Sequence, residues 1–125
     1  MTPPTADPDA LHLSFPAHPR FLSAARVVAA SVGASSGLSV DDLDDLRLGI
    51  NELVSLLMDG AGPDARVQLA FVGRDGTVTV HGSLDGATGT ALPADDLTGR
   101  ILEAVVDRYE IDGVSFVLAK SSSLA

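Results

Sequence analysis

The chain has 125 residues, 46% of them hydrophobic, with 17 acidic against 8 basic side chains, no cysteine and a formal charge of -9. A single domain of this size buries roughly two-thirds of the surface its unfolded chain exposes, so it folds without disulfide or metal. The missing cysteines exclude thiolate catalysis, cysteine zinc sites and redox motifs, and the acidity disfavours nucleic acid and anionic membrane, which are held by clustered Lys and Arg.

Residues 1–10 carry three prolines and no periodic apolar positions, and read as a disordered lead. They contain neither a basic nor an apolar signal segment, and no later run approaches the ~20 apolar residues of a membrane span, so a cytoplasmic protein is expected. Leu11, Leu13 and Phe15 alternate with His12 and Ser14 as a half-buried strand that Pro16 and Pro19 stop. From Pro19 to Ser35, Phe21, Leu22, Ala25, Val28, Ala29 and Val32 recur at helical spacing, with Gly33 and Gly37 closing the segment. Ser39 followed by Asp41 and Asp42 is the N-cap and acidic first turn of a second helix, whose stripe is Leu43, Leu46, Ile50, Leu53, Val54 and Leu57. Gly60, Gly62 and Pro63 end it.

Val67, Leu69 and Phe71, then Val78 and Val80, flank Arg74-Asp75-Gly76, which predicts a hairpin with an Asp-Gly turn. Residues 82–97 hold several breakers and read as a long irregular loop. A third helical stripe, Ile101, Leu102, Val105 and Val106, extends over 97–109, and Val114, Phe116 and Leu118 form a closing strand after Ile111-Asp112-Gly113. The order is β-α-α-β-β-loop-α-(β)-β. It predicts an α+β domain over 11–120, a mixed or antiparallel sheet with about three helices on one face and Gln68, Thr79 and His81 on the other, and a flexible tail over 121–125.

The segments LHLSFPAHPRFLSAAR, DDLRLGINELVSLLMDG and TGRILEAVVDRYEIDG together resemble the RsbW-type anti-sigma factors, the small serine-kinase branch of the GHKL (Bergerat-fold) ATPases. The second segment is the most specific, and the likeness extends to divergent actinobacterial members with eroded nucleotide motifs. In the kinase-competent branch a Glu-x-x-x-Asn pair on this helix supplies a general base and a magnesium ligand. Here the resemblance aligns Glu52 with the base, while Leu56, which has no oxygen for a hard cation, stands at the ligand position. The branch's Asp-x-Gly-x-Gly motif, whose Asp bonds adenine, would begin at Gly82; Asp85, Gly86 and Gly89 follow with altered spacing, and the glycine-rich lid before helix 3 is reduced to Gly99.

The resemblance therefore implies a regulatory domain that sequesters an alternative sigma factor, is countered by a STAS-type anti-anti-sigma protein, forms a homodimer and makes no efficient use of ATP. Helix 1 is the family's contact side, which offers Arg20 and Arg26 as partner-binding candidates. The alternative is an active serine kinase that uses Mg-ATP on the anti-anti-sigma protein, with Glu52 as base and Asn51 or Asp59 as a relocated ligand. Glu52 lies off the apolar stripe between Leu48 and Leu56. Asp41, Asp42, Asp44 and Asp45 read either as a solvated helix start or as an acidic patch for a basic partner, with Arg47 an intrahelical ion-pair partner. His12, His18 and His81 lack a second ligand at metal spacing, so no metal site is assigned.

Overall fold

The computed structural model describes residues 7–87 and 95–123. Strand β1 (Leu11–Pro16) leads through a 3-10 turn over Pro19–Phe21 into helix α1 (Leu22–Ser35) and helix α2 (Val40–Asp59). The hairpin β2 (Ala61–Arg74) and β3 (Thr77–Ala87) follows, then α3 (Asp96–Val105), β4 (Arg108–Asp112) and β5 (Ser115–Ser121). The five strands form one antiparallel sheet in the order β1-β2-β3-β5-β4, so the sheet is not mixed.

Period-2 alternation decides which side chains meet the helices. Val67, Leu69 and Phe71 on β2, Val78, Val80 and Leu84 on β3, and Phe116 and Leu118 on β5 join the α2 stripe in one continuous core. Leu46, Ile50, Leu53 and Val54 have no exposed surface, and Leu57 has 2%. Gln68, Thr79 and His81 occupy the opposite face, as the alternation predicts. Glycine sets the helix spacing at α1, because a β-carbon on Gly33 would lie 2.6 Å from Leu43 Cδ2. The β2–β3 turn is Asp75-Gly76, with φ of 55° and 75°, the positive pair that a two-residue hairpin requires.

Two boundaries differ from the sequence expectation. Residues 82–87 are not loop: β3 continues through them, with Gly82, Ser83 and Leu84 paired to β2 and the first two also to β5. Of the expected loop, residues 88–94 lie outside the described residues. The third helix does not reach Tyr109 either, because Val106 is extended (φ -122°, ψ 157°) and Arg108–Asp112 pairs with β5. The β-branched Val105-Val106 pair and the Tyr109/Ile111 alternation suit a strand edge better than a fourth helical turn.

Residues 1–6 of the lead are outside the described residues, and Asp7 and Asp9 both accept hydrogen bonds from the Arg74 guanidinium. Of the tail, Ser121 belongs to β5, Ser123 bonds α2, and 124–125 lie outside the described residues.

Candidate functional site

Helix α2 carries the residues that the sequence singled out. Its N-terminus is a capping box: Ser39 Oγ accepts from the Asp42 amide at 3.1 Å, and Asp42 Oδ2 accepts from the Ser39 amide at 3.4 Å. Two and a half turns after Asp42 comes Asn51, whose Oδ1 accepts from Arg26 Nη1 of α1 at 2.7 Å. Arg26 is thereby engaged within the domain, whereas Arg20 is exposed, its guanidinium 4.9 Å from the centre of the Phe21 ring. Glu52 is half-buried, with Leu48 one turn before it 42% exposed and Leu56 one turn after it half-buried.

The structure separates the other candidates. Asp85 lies on the open face of the sheet, where its carboxylate accepts from Gln68 Nε2 at 3.1 Å, so the sheet stands between it and α2. Gly86, at φ 83°, lets β3 approach Ala65, whose Cα would be 3.1 Å from an added β-carbon. Gly99 is in the first turn of α3 beside Tyr109, and Gly89 lies outside the described residues. At Gly82, the position of the adenine-binding aspartate in the resembled kinases, a β-carbon would fall 2.3 Å from Phe116 Cε2. The start of α3 is acidic: Asp95 caps it by accepting from the Thr98 amide at 2.7 Å, which lowers its pKa below the ordinary 3.8. A shallow hollow of about 450 Å³ there is lined by Asp95, Asp96, Gly99, Arg100, Glu103 and Tyr109. Among the described residues no group of three His, Asp or Glu side chains is placed to hold a metal ion, and no helix is long and apolar enough to cross a membrane.

Asp42 is not the solvated helix-start carboxylate that its position suggested. It is 3% exposed and accepts from both the amide and the hydroxyl of Ser123, each at 3.0 Å. The Ser123 amide foremost, with the Ser123 hydroxyl and the Ser39 cap, outweighs burial and holds its pKa down to about 2. Lys120 Nζ lies 3.9 Å from Asp42 Oδ1 and donates to Asp45 Oδ2 at 3.3 Å, while Asp44 pairs with Arg47. The acidic run is therefore divided between an internal clasp and a surface, with Asp41 and Asp44 exposed. The signal that could have found the clasp is parity: Lys120 follows Phe116 and Leu118 at steps of two, which turns the chain's single lysine toward the helices.

No protein-family model matches the sequence, and no curated protein matches it. Among solved structures it is similar to the RsbU and RsbW domains of Rv1364c from Mycobacterium tuberculosis, with a TM-score of 0.63 and 20% identity over 94% of this chain. The fold is RsbW-like. The match covers 33% of that larger chain, and at this identity it is a likeness of fold.

Proposed function

We propose that this RsbW-like domain is an anti-sigma regulator that works by binding: it sequesters an alternative sigma factor, is released by a STAS-type anti-anti-sigma protein, and does not depend on ATP. What supports the reading is an RsbW-like fold whose residues depart from the kinase motifs at Leu56 and Gly82. Leu56 offers no ligand where the kinase branch places its magnesium asparagine. Asn51, a possible substitute, already accepts from Arg26. Asp85 is on the far face of the sheet, and the hollow beside α3 sets the carboxylates Asp95, Asp96 and Glu103 against Arg100, a net negative charge that disfavours a polyphosphate.

The exposed face suits protein contact. Asp41 at the start of α2, beside the Asp44–Arg47 pair, offers negative charge to the basic surface with which a sigma factor meets DNA, and such complementarity sets on-rate and partner choice. Arg20, beside the start of α1, is an exposed cation on the side that the family uses for contacts, and a homodimer through that side belongs to the same reading.

Affinity capture of the tagged protein from its host lysate, with and without Mg-ATP, tests this. Recovery of a sigma factor or a STAS protein in both conditions is the expected result. Recovery only with Mg-ATP, together with phosphate transfer to the STAS protein that Glu52→Gln abolishes, would replace the reading with the kinase one.

A further inference from the structure

Strand β3 turns Val78, Val80, Gly82 and Leu84 toward the helices, and Gly82 alone of these four has no side chain to contribute. Its place is taken from both sides. The register sets Gly82 between Leu69 of β2 and Phe116 of β5, and a β-carbon on it would lie 2.3 and 2.5 Å from Phe116 Cε2 and Cζ and 3.0 Å from Leu69 Cδ2. Cε2 and Cζ belong to the outer part of the ring, so Phe116 reaches across its neighbouring strand to cover the glycine. Phe116 is 2% exposed and Leu69 is also 2% exposed, so the position is closed to solvent. Glycine weakens the interior of a strand, and here the missing side chain is what admits the ring.

We propose that the Phe116 ring is a built-in plug, filling from within the space over Gly82 where a nucleotide-using relative would seat a base, so that this domain completes its core without an adenine nucleotide. The inference deepens the proposed function, on which it rests for the alignment of Gly82 with the base-binding position. It makes Phe116 and Gly82 one unit: the ring fits because the β-carbon is absent. Removing the ring leaves a void walled by apolar side chains, and an apolar cavity of that kind stays dry and takes a flat aromatic molecule.

Thermal unfolding of the wild-type protein and of Phe116→Ala, each with millimolar Mg-ATP and separately with indole, tests the plug. The wild-type midpoint is expected to be unmoved by either compound. Phe116→Ala is expected to melt lower alone and to recover by several degrees in a saturable manner with indole. A saturable rise of the wild-type midpoint with Mg-ATP would overturn the proposal, and needs no variant. A folded Phe116→Ala protein that indole leaves unchanged would overturn it as well. If Phe116→Ala does not fold, Gly82→Ala and Gly82→Ala/Phe116→Leu replace it: recovery of the melting temperature in the double variant supports the interlock, and its absence contradicts it. Partner capture is scored separately, so loss of the plug and loss of the anti-sigma reading give different results.

Discussion

Asp42 shows how one carboxylate is made to serve two chain segments, and its protonation has a readable consequence. Its pKa lies at about 2 in the folded protein against an ordinary 3.8, so the folded state binds the proton less readily than the unfolded chain. The stability it contributes is therefore complete above the unfolded value and is lost as pH falls from 3.8 toward about 2. Asp7 and Asp95 are lowered in the same direction, the first by Arg74 and the second by the Thr98 amide, and add to the same acid limb. Denaturant titrations across this range should show a steep loss for the wild type and a shallower one for Asp42→Asn, which already lacks the charge at every pH. Gly82 gives a second prediction at this scale. Gly82→Ala drives a methyl group into the Phe116 ring and should destabilise by about 1–3 kcal/mol, the usual range for overpacking, measured by equilibrium unfolding. Neither residue was readable in these roles from local sequence. The capping pattern identified Asp42 correctly as a helix-start residue, but Ser123, 81 positions away, is what buries its carboxylate.

At the scale of elements, the helices and the hairpin were largely legible because each carries its own periodicity and its own stop. Ser39 and the Leu43-to-Leu57 stripe defined α2, and Asp75-Gly76 defined the β2–β3 turn. Where the reading failed, the element depended on a neighbour. Residues 82–87 look like loop because glycine and small polar residues have low strand propensity, yet they are held between β2 and, at their start, β5. Arg108–Asp112 follows a helical stripe closely and becomes a strand because β5 supplies its partner. The α2 N-terminus tests how far local capping matters. Ser39→Ala removes the acceptor for the Asp42 amide and should cost about 1 kcal/mol in equilibrium unfolding, the usual value for a lost N-cap. Part of the helix's support comes from elsewhere, through Arg26 reaching Asn51 from α1, and that tether should keep Ser39→Ala folded.

For the whole molecule, the layered α+β architecture followed from sequence, whereas the open or closed state of a site did not. Glu52, Leu56 and Gly82 could be named from their motif positions, but only the fold shows Asp85 on the opposite face of the sheet and Phe116 over Gly82. Together they describe an RsbW-like frame in which the Phe116 ring covers Gly82 and Asp41 and Asp44 stand exposed at the start of α2. The most direct test of the proposed anti-sigma function is a titration of the purified protein with a sigma factor recovered by affinity capture, carried out once in Mg-ATP and once in EDTA after nucleotide removal. Equal affinity in the two conditions, retained by Glu52→Gln, is the predicted result. Binding that disappears without Mg-ATP would contradict the account.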